Sequence, residues 1–199
     1  MNPRRLAPLC LLAALAACST TAVDVAYSPG AAPAAGAAAQ QQRRPVVAVG
    51  AFTDQRGEDP NWLGSARGGF GNPLKTLTTT RPVAEVVAKA FSDGLAARGL
   101  LAGPGAGRYA LTGVVETFNA DQMARREATA RVRLTLADAA TGRAVLSETF
   151  EHNVVAGSLV TLRTGVFAST DDLRDVAAQA LNGAVDKALD SPAFRQAVR

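Results

Sequence analysis

The sequence predicts an α+β domain: a mostly antiparallel sheet of about four to five strands with two main helices on one face. Three observations lead there. The stretch EATARVRLTLAD alternates strictly, with Ala128, Ala130, Val132, Leu134 and Leu136 on one face and Thr129, Arg131, Arg133 and Thr135 on the other. That is the pattern of an antiparallel strand with one side in water. Two runs, RPVAEVVAKAFSDGLAARG and the segment after Ser169, repeat instead with a helical period. Finally, the elements come in the order strand, loop, helix, three strands, helix, and no internal repeat is visible.

Val46–Asp54 (VVAVGAFTD) is short, β-branched and stopped by polar residues, so it reads as a buried strand. Gln55–Pro73 is rich in turn formers and reads as a long loop pinned by Trp62 and Phe70, a candidate recognition loop. LKTLTTT adds a short strand. In the first helix Val83, Val86, Val87, Ala90, Phe91 and Leu95 share a face, Pro82 sits near its start and Gly99 is placed to end it. Two further strands, RYALTGVVETF and RAVLSETFEHNVV, flank the alternating one. The last helix starts at Ser169 or Thr170 and carries Leu173, Val176, Ala177, Ala180, Leu181, Ala184, Val185, Ala188 and Leu189 in phase. Ser191-Pro192 then breaks it and leaves the tail AFRQAVR. A crossover through the first helix allows one right-handed parallel pair.

The N-terminus has a different character. Arg4 and Arg5 precede an uncharged Leu/Ala run from Leu6 to Ala17, the length of a signal-peptide core and too short to span a bilayer. The run ends Leu15-Ala16-Ala17-Cys18, followed by Ser19. This resembles the lipobox of bacterial lipoproteins, which implies cleavage before Cys18 and acylation of that residue. The alternative is an ordinary secretory signal that leaves Cys18 a free thiol. Cys10, preceded by Pro8 and Leu9, does not fit the motif and leaves with the signal. The expected organisation is a signal peptide over 1–17, a lipidated Cys with a flexible Ala/Pro/Gly/Gln tether over 18–44, and one periplasmic domain over 45–199. As a coil, the tether would hold the domain roughly 25–30 Å from the membrane.

The layout resembles the YajG-like family of bacterial lipoproteins. It is carried by the lipobox, by VVAVGAFTDQRG, and by LKTLTTTRPVAEVVAKAFSDGLAARGLLAGP, in which LAARGLLAGP is the most specific phrase. The resemblance implies a lipid-anchored envelope protein. Ser19 after the cysteine, where Asp commonly signals inner-membrane retention, points to the outer membrane. At fold level the layout is also similar to periplasmic lipoproteins that serve wall synthases and exporters as accessory subunits.

The expected domain holds one histidine, His152, and no cysteine, which excludes Cys-His catalysis and cysteine or multi-histidine zinc sites there. No G-x-S-x-G elbow is present, and Gly68-Gly69-Phe70-Gly71-Asn72-Pro73 lacks the Gly-Lys-Ser/Thr ending of a phosphate loop. Asp54, Glu58 and Asp59 lack the spacing of a calcium loop. The net charge is +4, and losing Arg4 and Arg5 with the signal leaves 19 basic against 17 acidic residues, too little to argue nucleic-acid binding. Arg125, Arg126, Arg131 and Arg133 cluster about one strand as a candidate face for an anionic glycolipid, wall polymer or acidic protein. The expectation is a non-enzymatic binding or accessory module, with no metal and no cofactor, anchored at the outer membrane. An auxiliary subunit of a transporter or peptidoglycan-synthesis complex, a structural spacer, and last an envelope hydrolase are the alternatives.

Overall fold

A computed structural model describes residues 19–30, 45–68, 70–157 and 169–199. In it β1 (Ser19–Val23), β2 (Val47–Asp54), β3 (Trp62–Arg67) and β4 (Pro73–Thr79) precede α1 (Val83–Ala97). β5 (Tyr109–Gln122), β6 (Arg126–Asp138) and β7 (Ala144–Ala156) follow, then α2 (Thr170–Leu189) and α3 (Pro192–Ala197). The strands form one seven-stranded sheet in the order β1-β4-β3-β5-β6-β7, with β2 also paired to β5.

This corrects the expected fold class. The sheet is mixed, with parallel pairs β1/β4, β2/β5 and β3/β5 beside antiparallel β3/β4, β5/β6 and β6/β7. Three helices are described instead of two. The extra strands come from segments read as tether and loop. Ser19–Val23 pairs in parallel with β4 and ends on buried Val23, and the following chain buries Val25 and Tyr27. The first residues of the expected tether are therefore part of the domain, and 31–44 lies outside the described residues. The expected Gln55–Pro73 loop contains β3 and the first residue of β4.

Strand β5 organises the sheet. β2 pairs with its first half, up to Asp54 opposite Val115, while β3 pairs with its end on the same edge, Gly64 opposite Ala120. One long strand thus has two short partners in succession. An extra residue at Glu116 shifts the register between Val115 and Thr117. The shift moves burial from Tyr109, Leu111 and Val115 to Phe118, Ala120 and Gln122, so both halves turn the same face inward. At Gly64 the two backbones lie so close that a Cβ would sit 1.7 Å from the Ala120 carbonyl oxygen. Only glycine fits there.

The helices form as the sequence implies. Every apolar position named above for α1 and α2 is buried. Ser169 caps α2, its hydroxyl accepting the Asp172 N–H at 3.3 Å. Gly99, at φ 67°, ends α1, and the Leu100 N–H returns to the Leu95 carbonyl at 2.9 Å. Ser191-Pro192, read as a break, starts α3: the Ser191 hydroxyl accepts the Phe194 N–H at 3.0 Å, and Phe194 is fully buried. α1 packs on β2, where Phe52 stacks on Phe91 with centroids 5.5 Å apart, and α2 packs across β5 to β7. Phe91, Phe118, Leu134, Leu181 and Phe194 fill one continuous core, each contributing about 1.5–3 kcal/mol by burial.

Candidate functional site

A cleft opens at the end of the sheet where β5 begins. Its volume is about 670 Å³, and it is lined by Val46, Leu100, Arg108, Tyr109, Arg195, Val198 and Arg199. Local backbone bonds assemble it. The turn after α1 presents the Leu100 carbonyl to the N–H groups of Val46 and Val47, both at 3.0 Å, and Tyr109 N–H reaches the Val46 carbonyl at 2.9 Å. Buried Phe194 fixes α3 against the core, which sets Arg195 and Arg199 over the opening. The Arg108 guanidinium lies 4.9 Å from the centre of the Tyr109 ring, a cation–π contact.

The chemistry of this lining is limited and clear. Four apolar or aromatic side chains form the walls, and three guanidinium groups supply fixed positive charge and paired N–H donors. No Asp, Glu, His, Ser or Cys side chain is among these lining residues. Near Arg108, the Asp138 carboxyl is held below the usual carboxylate range, first by the backbone and side-chain bonds of Thr141 and last by the Arg108 charge. Such a cleft suits an anion carried on an apolar body.

The residues singled out in the sequence are scattered. Leu15, Ala16, Ala17 and Cys18 lie outside the described residues, and Ser19 opens β1. Trp62 is half-buried at the start of β3, whereas Phe70 is fully exposed at the β3–β4 hairpin tip, so the two do not meet in one loop. Arg131 and Arg133 both bond Glu116, at 3.0 and 3.1 Å, and Arg131 also reaches Glu151 at 3.4 Å. Arg125 and Arg126 lie instead at the β5–β6 tip, bonded to Glu127 and Asp172. Asp54, Glu58 and Asp59 do not converge, because Asp54 faces Arg56. His152 packs its ring on Gly183 of α2, where a Cβ would lie 2.2 Å away. Among the described residues no group of three or more His, Cys, Asp or Glu could hold a metal, and no helix is long and apolar enough to cross a membrane.

Two polar clusters were not anticipated. Arg56, only 4% exposed, fills the gap where β2 leaves β5 and β3 joins it. It donates to both Asp54 carboxylate oxygens, to the Trp62 carbonyl at 2.6 Å and to the Phe118 carbonyl at 3.0 Å. Burial raises the Asp54 carboxyl, but the bonds and charge of Arg56 outweigh it and hold the group below its ordinary value. In the second cluster Arg98 binds Asp186 at 2.9 Å and Asp190 at 2.6 Å, and the Tyr27 hydroxyl donates to Asp186 at 2.6 Å. Burial, then the Asp186 bond, push the Tyr27 hydroxyl up. Both clusters are closed on themselves and stabilise the fold.

The cleft escaped the sequence reading because its residues come from four separate segments. One signal was available: Arg195 and Arg199 stand four apart in the tail, the spacing of one helical turn, although α3 itself stops at Ala197.

No protein-family model and no curated protein matches the chain. Solved structures do. The chain is similar to the crystal structure of protein XCC0632 from Xanthomonas campestris, of the family DUF330, with a TM-score of 0.59 at 17% identity over 86% of this chain and 92% of that one. A structure described only as an uncharacterized protein gives a TM-score of 0.53 at 9% identity, over 90% and 99% of the two chains. Lipoprotein GNA1162 from Neisseria meningitidis is a looser match, with a TM-score of 0.30 at 10% identity over 69% and 95%, too loose to carry an argument. The chain therefore has the fold of XCC0632.

Proposed function

We propose that this chain is a non-enzymatic lipoprotein of the bacterial outer membrane, acylated at Cys18 and facing the periplasm, and that its cleft binds an anion carried on an apolar body. The affiliation with the YajG-like lipoproteins is part of the same reading. The observation that carries the binding role is the cleft itself, in which Arg108, Arg195 and Arg199 stand over walls of Val46, Leu100, Tyr109 and Val198. An ionised ligand head would gain charge-assisted hydrogen bonds from the guanidinium groups, and its apolar part would displace water from the walls. Anchoring rests on Leu15-Ala16-Ala17-Cys18 and the uncharged run before it.

The test is a titration of the Cys18→Ala chain with a fluorescent fatty acid and with the matching alcohol. The carboxylate is expected to bind at least about tenfold more tightly than the alcohol, a preference lost in Arg108→Ala/Arg195→Ala. Equal affinity for acid and alcohol, or no binding of either, removes the cleft from consideration. Incorporation of labelled palmitate into the wild-type chain and not into Cys18→Ala tests the anchor separately.

A further inference from the structure

The end of the sheet opposite the cleft has an organisation of its own. Residue partners run in one unbroken row across it: Ser19 with Lys75, Lys75 with Ala66, Ala66 with Gln122, Gln122 with Arg126, and Arg126 with Ala156. Six strands therefore end level with one another, over a width of roughly 24 Å at the usual strand spacing. Beyond the row stand the two hairpin tips, with 70–72 before β4 and 123–125 between β5 and β6. Four large apolar side chains are strongly exposed among the described residues, and three belong to this end: Phe70 and Met123 on the tips, and Val155 beside the row.

Ser19 is the first residue of the row, and Cys18 precedes it by one peptide, so their α-carbons are about 3.8 Å apart. We infer that this end of the sheet lies against the membrane, with Phe70 and Met123 inserted into the leaflet that holds the Cys18 acyl chains. The inference rests on the lipoprotein reading above, and it adds the orientation of the domain and a second, protein-borne contact with lipid. The chain has no spacer between anchor and fold: the residue after Cys18 is already in the sheet. An anchor attached there brings both tips within reach of the headgroups, and apolar side chains at the end of a rigid sheet gain by burial about 5–10 Å into the interface.

Most charges at this end are paired. Arg125 is met by Glu127 and Arg126 by Asp172, while Asp121 accepts the Ser65 hydroxyl and N–H. Arg67 and Lys75 stand at the same end, so a small positive charge adds to the apolar contact, and the part carried by Phe70 and Met123 is the part that salt leaves unchanged. The cleft, at the start of the 14-residue strand β5, then stands roughly 40 Å away from the bilayer and open to the periplasm.

The experiment uses the acylated chain in phosphatidylethanolamine/phosphatidylglycerol vesicles. A polarity-sensitive fluorophore is attached at Asn72→Cys or Ala124→Cys, which leave Phe70 and Met123 in place, and at Ala140→Cys in the β6–β7 turn as the distal reference. Emission at 72 and 124 is expected to shift blue and to be quenched by spin-labelled lipid, with 140 unaffected. In the Cys18→Ala chain, residual vesicle binding is expected to fall about tenfold or more on Phe70→Ser/Met123→Ser. If the chain floats with the vesicles but all three positions report water, the orientation is wrong and the anchor stands. If it does not float, the lipoprotein reading itself fails and takes this inference with it.

Discussion

Replacing Arg56 with methionine keeps the length of the side-chain stem and removes its fork of donors. The Asp54 carboxylate and the Trp62 and Phe118 carbonyls then lose this donor at the gap between β2 and β3, as do the exposed Asp59 and Pro60 carbonyls, which it reaches at 3.3 and 3.4 Å. Breaking a buried pair from one side costs about 3–5 kcal/mol, because a charge is left without compensation. Water entering at Asp54, whose side chain is 19% exposed, will soften the loss, so a value near the lower bound is expected. At a slope of about 2 kcal/mol per molar urea, the unfolding midpoint falls by about 1.5–2 M. Asp54→Asn alone costs less, and in the Arg56→Met background it is expected to recover part of the loss, with a coupling energy of at least about 1 kcal/mol. Lysine at 56 keeps the charge but cannot reach two carbonyls and a carboxylate together, so Arg56→Lys falls between. A midpoint shift below about 0.3 M for Arg56→Met, or strictly additive effects in the cycle, refutes the idea that this guanidinium closes the gap.

Four further expectations concern pH, packing and one hydrogen bond. The folded Asp54 carboxyl lies below its unfolded value of about 3.9, so its stabilisation is complete above that pH and is lost as pH falls through the folded value; acid titration of the urea midpoint should show a steeper loss below about pH 4 in wild type than in Asp54→Asn. Gly64→Ala drives a Cβ into the Ala120 backbone and is expected to cost about 3 kcal/mol, read by urea unfolding; a neutral substitution would mean that β3 and β5 do not meet as described. Gly183→Ala alone destabilises by about 1–2 kcal/mol through the His152 ring, yet with His152→Ala the same change should stabilise by up to about 1 kcal/mol relative to His152→Ala alone, because alanine favours a helix. Tyr27→Phe removes one bond to Asp186, about 1 kcal/mol, and is expected to speed amide exchange over Val23–Tyr27; unchanged exchange would show that the hydroxyl does not hold that segment.

What could be read from the sequence was what repeats. β6 and the two long helices carry large apolar side chains at a fixed period, so their buried faces are visible residue by residue. β3 has no such signature. Leu63, Gly64, Ser65 and Ala66 are buried in succession, so no alternation appears, and the close approach at Gly64 demands small residues that read as a loop. β1 is polar along most of its length and borrows its place from β4. Only Val23, Val25 and Tyr27, alternating inside what looked like a tether, recorded that the chain was already buried there. The charged face about Arg131 was legible as a cluster, but its neutralisation by Glu116 and Glu151 needs the register of three strands. Arg56 and the cleft depend on contacts between distant segments, for which the sequence carries no local mark.

The length of β5, β6 and β7 has a mechanical meaning. Each is 13 or 14 residues long, and the three stay paired between the cleft end and the hairpin tips. The bulge at Glu116 and the register shift between Leu136 and Ala137 add twist without interrupting the pairing along that path. The domain therefore behaves as a single stiff lever. An event at one end can reach the other by tilting the whole body or by adding a load at its tip, not by changing the separation of the two.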